Sequence, residues 1–348
     1  MLSKIYRKKI TSFLFVILLV ANFGLAKNSA GKEYIIKYAT LAPEGTTWMN
    51  FMREFDKEVR AKSNNRLKFK IYPGGISGDE KDVIRKIRIG QRHSGGFTGV
   101  GMGMILPEVR ALDLPFLFNN QEEVDYIYSA FFDYFFDAFN KKGYTLLGWA
   151  EVGPVHIFSN KPIATIKDMA GVKMWKWEGD PMAEEMLKAL GISPYSLSIA
   201  DVLMSLQRGL IDAVYGSPYA AISMQWFTRI KYISMYPIAN ASGSVLISNR
   251  FFNKLPQDLQ KILLNVSEKK FPQLISLTRK ANNDSIKAME KAGIVLVGKP
   301  ADKDLKPFLR AGETVRNNLV NKLYSKELLE KINSSLHSFR TKQAVVSD

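Results

Sequence analysis

Two tryptophans, Trp175 and Trp177, stand two residues apart in the segment GVKMWKWEGDP, residues 171–181. Residues two apart on a strand share a face, so both rings are predicted to point the same way. An indole wall suits a flat apolar ligand, a sugar-like ligand or a cation. The alternative is that one or both rings simply pack in a domain core. Asp180 and Pro181, directly after the rings, are typical of a helix start.

Other candidate residues follow predicted strands, whose carboxyl ends open onto the crevice of α/β proteins. We expect ligand contacts from Thr98, Gly99, Trp149, Glu151, Tyr215, Ser217, Tyr219 and Asp79, together with the two tryptophans. For each of these residues ordinary turn chemistry is the alternative. Asp79 is equally placed to cap a helix that begins at Glu80, and capping is the favoured role. A buried Glu151 would favour a cationic or hydroxylated solute.

The chain carries no motif typical of a catalytic, metal or cofactor site. It has no cysteine, and its three histidines do not cluster. The zinc motif His-Glu-x-x-His, the phosphate-binding loop and the nucleophile elbow are all missing from the sequence. The run Gly99-Val100-Gly101-Met102-Gly103 has its third glycine one residue too early for a dinucleotide loop and is interpreted as a flexible loop. We therefore predict binding without a catalytic residue, a metal or a cofactor.

Alternating strand and helix patterns must position these residues. The predicted strands cover residues 33–40, 67–72, 95–98, 142–149, 156–159, 172–177, 213–215 and 294–297. The predicted helices cover residues 46–62, 79–91, 181–190, 198–208 and 257–292, and two more reach residue 336. This order predicts an α/β fold with a parallel sheet covered on both faces. The 348-residue length predicts two domains, with a boundary near Val152-Gly153-Pro154 and a ligand cleft between them.

The N-terminus predicts export. Four positive charges precede an apolar run, residues 11–25, and small residues at Gly24 and Ala26 indicate a signal peptide, residues 1–26, cleaved after Ala26. Cleavage after Ala30 and an uncleaved membrane anchor are the alternatives, although the run is short for a spanning helix. Without cysteine, a lipid anchor and disulfides are excluded. We therefore expect a periplasmic protein.

The chain is strongly basic, with 49 Lys and Arg against 33 Asp and Glu, a net charge of +16. Export argues against a nucleic-acid partner. A positive field that attracts anions or a membrane surface, and a host with generally basic proteins, both remain open.

Four segments, in this order, resemble a known family. They are residues 72–80 (YPGGISGDE), 109–118 (VRALDLPFLF), 159–173 (SNKPI followed by DMAGVK) and 206–213 (LQRGLIDA). Across roughly residues 33–300 the chain is similar to the DctP-type solute receptors of TRAP transporters.

This resemblance implies a periplasmic-binding-protein-like fold of two discontinuous α/β domains that close over a ligand by a hinge. Domain I would be residues 27–153 plus about 241–281, and domain II residues 154–240 plus about 282–320. The long helix, about residues 257–292, would span both domains. Independently of the resemblance, the absence of periodicity from residue 338 predicts that residues 321–348 form a C-terminal helix and a disordered tail.

The resemblance also implies a function: capture of a small organic solute and delivery to the two membrane subunits of a TRAP transporter. The family's carboxylate-binding arginine falls at Trp175, and a second arginine of some members falls near Val155, so this chain departs from the pattern. The alternatives are a receptor that presents its ligand to a membrane sensor and an exported hydrolase that uses Glu151 or Asp79.

Overall fold

The structure, a computed structural model, describes residues 32–347. The predicted signal peptide, residues 1–26, lies outside them. The strands are β1 (Tyr34–Ala39), β2 (Leu67–Tyr72), β3 (Ser94–Thr98), β4 (Tyr144–Ser159), β5 (Trp175–Trp177), β6 (Tyr195–Leu197), β7 (Ala213–Gly216), β8 (Tyr232–Ser234), β9 (Ala239–Ser248) and β10 (Val295–Val297).

The helices lie between and after these strands. They are α1 (Thr47–Lys62), α2 (Glu80–Arg88), α3 (Gly99–Ile105), α4 (Gln121–Ala130), α5 (Phe132–Lys141), α6 (Pro181–Ala189), α7 (Val202–Gln207), α8 (Pro218–Ser223), α9 (Asn249–Phe252), α10 (Gln257–Lys291), α11 (Asp302–Leu319) and α12 (Lys326–Ser347). Amphipathic spacing explains the local choices: in α1, for example, Met52, Phe55 and Val59 share the buried face.

Eight of these strands form a mixed sheet rather than the parallel sheet that the sequence predicts, and β5 and β6 pair in parallel as a separate two-stranded sheet. The order of the larger sheet is β10-β8-β4-β9-β3-β1-β2, with β7 also paired to β4. β1 is parallel to β2 and to β3, whereas β9 runs antiparallel to β3 and to β4. No strand was predicted at β9, because its sequence, ANASGSVLIS, is too rich in small and polar residues to show a clear apolar alternation.

β4 is one strand of 16 residues where the sequence predicts two strands and a domain boundary. Its register against β9 shifts between Glu151 and Gly153, where Gly153 adopts a positive φ of 108°. This irregularity accommodates the Gly-Pro pair without ending the strand. β4 therefore continues from one part of the molecule into the other.

We call these parts the first lobe, built on β1, β2 and β3 with α1, α2 and α3, and the second lobe, built on β5, β6, β7, β8 and β10 with α6, α7 and α8. The long helix α10 packs on both, since Leu259, Leu263 and Phe271 join the core of the first lobe and Met289 joins that of the second. The predicted helix spanning both domains is thus confirmed.

The predicted disordered tail is wrong for the described residues, because α12 continues to Ser347. Phe339 stacks on Tyr126 with ring centroids 4.5 Å apart. Arg340 pairs with the buried Glu123 and also donates to the carbonyl oxygen of Leu117. These contacts come from distant residues, so the local sequence pattern carries no signal of them. Within residues 32–347, no helix is both long and apolar enough to cross a bilayer.

Candidate functional site

A cavity of about 250 Å³ lies between the two lobes. Residues of both lobes line it. Among the predicted ligand-binding residues, those in the lining are Thr98, Gly99, Glu151, Trp175, Trp177, Tyr215, Ser217 and Tyr219. The structure thus brings these side chains around one space, and their contact with a ligand stays a prediction.

Trp175 combines the two roles that the sequence left open. Its side chain is 1% exposed and packs in the core of the second lobe, stacked on Tyr215 at 5.1 Å and edge-on to Trp226 at 5.3 Å between centroids. The indole Nε1 donates to the carbonyl oxygen of Leu197 at 3.1 Å, and the ring also lines the cavity. It is therefore a fixed wall of the cavity.

Trp177 and Asp79 connect the two lobes. The indole Nε1 of Trp177 donates to Asp79 Oδ2 at 3.1 Å, and Ser198 Oγ donates to the same oxygen at 3.0 Å. Asp79 Oδ1 accepts from the backbone N–H of Glu80, and Asp79 caps α2, so the favoured capping role is confirmed. Asp79 does not fit the predicted role of a ligand contact. Both of its carboxylate oxygens already accept hydrogen bonds, and the residue lies outside the cavity lining.

Trp149 also lies outside the lining and does not fit the predicted ligand role. Its Nε1 donates to the carbonyl oxygen of Tyr128, and its ring contacts Tyr128 at 5.3 Å and Phe135 at 5.7 Å. Tyr128 belongs to α4 and Phe135 to α5, and neither helix is among those predicted from the sequence. They enclose the indole in a core cluster, which satisfies both its ring and its N–H.

A buried arginine outside the set of predicted site residues, Arg110, lies in the cavity wall. Its Nη1 is 3.0 Å from Asp113 Oδ2, and its Nη2 is 3.0 Å from Asp180 Oδ1. Burial opposes the charge on Arg110, but Asp180 and Asp113 outweigh it and raise the pKa of the guanidinium. Asp180 caps α6, as predicted. The available signal was the pair Arg110 and Asp113, two charges three residues apart in an otherwise apolar segment.

Glu151 forms a second buried charge cluster. Its Oε2 accepts from Nε and Nη2 of Arg279 at 2.9 and 2.8 Å, and Arg279 is shared with Asp125. Burial raises the pKa of Glu151 in spite of this arginine, and burial likewise raises the pKa of Asp113 in spite of Arg110. Arg279 lies on α10, so the long helix positions this group between the lobes.

Glu80 holds the start of α3. It accepts hydrogen bonds from the N–H and Oγ1 of Thr98 and from the N–H of Gly101. Burial nevertheless raises the pKa of Glu80 to about 7. The glycine run predicted as a flexible loop is helical, with Thr98 as its N-cap. Its glycines allow charged side chains to pack closely against the helix: a Cβ on Gly99 would collide with Asp113, and one on Gly101 with Glu80.

Ser217 and Tyr219 lie at the start of α8. Ser217 caps this helix by accepting from the N–H of Ala220. Tyr219 spans the lobes: its hydroxyl accepts from the N–H of Thr47 at 2.5 Å, and its own N–H donates to Asn282 on α10. The cavity is thus closed by contacts that need both lobes.

The family model described as "Bacterial extracellular solute-binding protein, family 7" (DctP) matches residues 38–323. The chain belongs to this family. The resemblance seen in the four sequence segments is confirmed, and this DctP-family protein is a solute-binding protein of the extracellular class rather than a member of an enzyme family.

Solved structures share the fold of this DctP-family protein. A TRAP periplasmic solute binding protein from Desulfovibrio salexigens, with bound orotic acid, superposes with a TM-score of 0.82 at 19% identity, over 88% of this chain and 99% of that one. One from Pseudomonas putida F1, with bound D-glucuronate, has a TM-score of 0.78 at 24% identity, over 86% of this chain and 97% of that one. The predicted two-domain α/β fold is confirmed.

Among related sequences, a solute-binding protein from Sulfitobacter sp. (strain NAS-14.1) is 20% identical over 309 residues, 87% of this chain and 92% of its own length. The similarity thus extends along nearly the whole of both chains.

Proposed function

We propose that this protein captures a small organic solute in the cavity between its lobes and delivers it to the membrane subunits of a TRAP transporter. The observation that carries the proposal is the cavity itself, whose walls come from both lobes and from the helix and strand that join them. Enclosure between two lobes is the arrangement that buries most of a small ligand.

The related structures support this proposal, because two of them hold small organic molecules, orotic acid and D-glucuronate. Their description as TRAP periplasmic proteins supports delivery to the two membrane subunits and a periplasmic location, with the signal peptide of residues 1–26 cleaved after Ala26. The ligand-binding residues that we propose are Trp175, Trp177, Tyr215, Ser217, Tyr219, Thr98, Gly99 and Glu151, to which the cavity adds Arg110 and Asp113.

The alternative function, an exported hydrolase, is not supported by its two candidate catalytic residues, Glu151 and Asp79. Glu151 is engaged by Arg279, and Asp79 is engaged by the α2 backbone, Trp177 and Ser198. Asp79 also lies outside the cavity lining, so Glu151 and Asp79 do not form the pair of cavity-facing carboxyl groups that such a hydrolase would use.

Native mass spectrometry of the purified protein, followed by calorimetry with the solute it releases, tests the capture step. We expect one small molecule per chain. Ala220 lines the cavity and Ala170 lies on the exposed surface. Ala220→Trp should therefore abolish binding while Ala170→Trp leaves it unchanged. Equal binding by both variants would contradict the cavity as the site.

Delivery is tested with proteoliposomes that contain the two membrane subunits of a TRAP transporter from the same organism. Solute uptake should require the receptor and should fall to background with Ala220→Trp. Uptake that is independent of the receptor would contradict the delivery step and leave the capture step intact.

A further inference from the structure

We infer that the solute is a small monocarboxylic acid whose carbon skeleton is apolar, either a ring or an alkyl chain, rather than a polyhydroxylated acid. This inference rests on the proposed function, since it names the class of solute that the same cavity takes.

The first argument is the apolar wall that the second lobe gives the cavity. On α6, Met182 and Met186 lie four residues apart, as do Ala183 and Leu187, and all four line the cavity. Residues at this spacing share one face of a helix, so α6 presents an apolar face. Further apolar lining residues are Val155, Ile157, Met169, Met174, Trp175 and Ile238.

Such a wall stabilises an apolar skeleton and not a hydroxylated one. Burial of hydrocarbon against it removes apolar surface from water, which is favourable. Thioether side chains are flexible and polarisable, so the methionines can adapt to a ring or to a chain. A hydroxyl group at the same place would lose its hydrogen bonds to water without a replacement.

The second argument is that many polar groups of the wall are already bound within the protein. The indole N–H groups of Trp48, Trp175 and Trp177 all donate to protein oxygens. The hydroxyl oxygens of Tyr215 and Tyr219 each accept from a backbone N–H. A solute with a hydroxyl group on every carbon would therefore bring more donors and acceptors than the wall can satisfy.

The third argument is the presence of buried donors for one acid group. Among the described lining residues the sole basic side chain is Arg110, and its Nε has no hydrogen-bond partner in residues 32–347. Asn240 Nδ2, in the same lining, has none either. A guanidinium N–H and an amide N–H are donors that a carboxylate accepts from, and the charged one gives the stronger bond.

Arg110 lies against the strand that carries Asn240. Asp113 contacts Arg110 Nη1 through Oδ2 at 3.0 Å, and its Oδ1 accepts from the N–H of Ser242 at 2.7 Å. Ser242 and Asn240 are two residues apart on β9. The acid end of the solute is therefore expected at the side of the cavity where Arg110 meets β9.

The carboxyl groups of the wall are themselves neutralised in part. Asp113 and Glu151 are each paired with an arginine, and burial raises the pKa of both. Burial also raises the pKa of Glu80 to about 7. The remaining one, Asp180, caps α6 and pairs with Arg110. One carboxylate can join this group at Arg110, whereas a second would meet no further cation among the described lining residues.

The test compares acids that share a skeleton and differ in their hydroxyl groups. Purified protein is titrated by calorimetry at neutral pH with cyclohexanecarboxylate against quinate, and with hexanoate against gluconate. Phenylacetate is an aryl probe, D-glucuronate a further sugar acid, and adipate adds a second carboxylate to the hexanoate chain. We expect at least one apolar monocarboxylate to bind at least about tenfold more tightly than every hydroxylated acid and than adipate.

Two further probes keep the cyclohexane ring and change the polar group. Cyclohexanecarboxamide is neutral. Cyclohexylmethylamine is a cation, and it tests whether Glu151 Oε1, a buried oxygen that receives no hydrogen bond, selects an amine instead. Both are expected to bind at least about tenfold more weakly than cyclohexanecarboxylate.

The inference is overturned if a hydroxylated acid, adipate, the amide or the amine binds as tightly as the apolar monocarboxylates, or if no apolar monocarboxylate binds. A polyhydroxylated solute that co-purifies with the protein overturns it as well. In each case where some solute binds, the proposed receptor function survives. If no probe binds and no solute co-purifies, that function fails too.

Met186→Gln tests the apolar wall. It keeps the length of the side chain and places an amide against the solute skeleton, so binding of the apolar acids should weaken at least about fivefold. Met204→Gln is the matched control, because Met204 lies on α7, is 51% exposed and is not in the cavity lining. Equal affinities of the two variants would contradict contact with the wall.

Asn240→Asp tests the acid end. It keeps the side-chain shape and replaces the amide donor by a carboxylate, so binding of the acids should weaken at least about tenfold while cyclohexanecarboxamide changes little. Asn333→Asp makes the same change at an exposed position of α12. Similar losses for the acid and the amide would exclude Asn240 from the acid site. Circular dichroism checks the fold, and the probe comparison on the unaltered protein stands even if the variants unfold.

Discussion

At the scale of single residues, Trp175 illustrates how a core residue and a cavity wall can be the same side chain. Its indole N–H is satisfied by Leu197, and its ring is fixed between Tyr215 and Trp226. A ring held in this way loses no conformational freedom when a ligand packs on it, which lowers the entropic cost of binding.

We therefore expect substitutions at Trp175 to lower the stability of the ligand-free protein. Trp175→Ala should lower the free energy of unfolding by about 3–5 kcal/mol, as for other large-to-small core changes. Trp175→Phe keeps most of the apolar contact and removes the indole hydrogen bond to Leu197, whose carbonyl oxygen still accepts from the N–H of Glu178, so a loss of about 1 kcal/mol is expected. Urea denaturation measures both. A loss under about 1 kcal/mol for Trp175→Ala would contradict the core role.

Glu80 should make stability depend on pH. Burial raises its pKa from 4.5 to about 7, so between these values the folded protein binds more protons than the unfolded chain. The contribution of Glu80 to the free energy of unfolding is fully present below pH 4.5 and decreases as pH rises toward 7, by at most about 1.4 kcal/mol per pH unit.

Glu80→Gln should flatten this dependence, because the variant has no group to titrate. Urea denaturation at about pH 5 and about pH 7 measures the difference in slope. Glu54→Gln, which removes an exposed carboxyl, is expected to follow the unaltered protein. Equal slopes for all three proteins would exclude Glu80 as the source.

At the scale of elements, α12 is a helix whose attachment comes from a few long-range contacts. Arg340 is 40% exposed, whereas its partner Glu123 is 2% exposed and also accepts from Asn119. The aromatic stack of Phe339 on Tyr126 continues the same interface. The attachment of α12 therefore depends on Glu123, the buried carboxyl group of α4 with which Arg340 pairs.

Arg340→Ala should lower the free energy of unfolding by about 1–3 kcal/mol, since it leaves Glu123 buried without its cation and the exposure of the arginine limits the loss. Lys331→Ala is a matched control on the same helix, because its pair with Glu327 is exposed on both sides. The control should change stability by less than about 0.5 kcal/mol. Similar losses of unfolding free energy in both variants would contradict the expectation that the burial of Glu123 makes its pair with Arg340 the more important one.

At the scale of the whole molecule, contacts between the lobes hold the cavity closed. They are Trp177 with Asp79, Tyr219 with Thr47, Arg110 with Asp180, and Lys81 with Glu178. The first three are wholly or largely enclosed, while Lys81 and Glu178 are both exposed to solvent. Buried polar contacts are costly to leave unmade, so they should dominate closure.

Trp177→Phe should shift the ligand-free protein toward a more open form, because Asp79 loses the indole donor. Lys81→Ala removes the exposed pair and should have little effect. Small-angle scattering reports the radius of gyration of each variant, and an increase is expected only for Trp177→Phe. No difference between the two variants would contradict the role of the buried contact.

The sequence by itself determined two kinds of feature: local secondary structure, and the order of characteristic segments along the chain. Hydrophobic periodicity predicted β1, β2, β3 and the long helix, and residue type at the helix starts predicted the caps Asp79 and Asp180, because these features depend on neighbouring residues. The order of the four segments identified the family, and most of the predicted strand-end residues line one cavity.

Only the tertiary structure decided features that depend on residues far apart in the chain. It placed Trp149 against α4 and α5, continued β4 through Gly153, and ordered the tail through Phe339 and Arg340. It also assembled two buried charge clusters, Arg110 with Asp113 and Asp180, and Glu151 with Arg279 and Asp125. A charge in a sequence does not reveal which partners desolvate or neutralise it, and here those partners come from three separate elements.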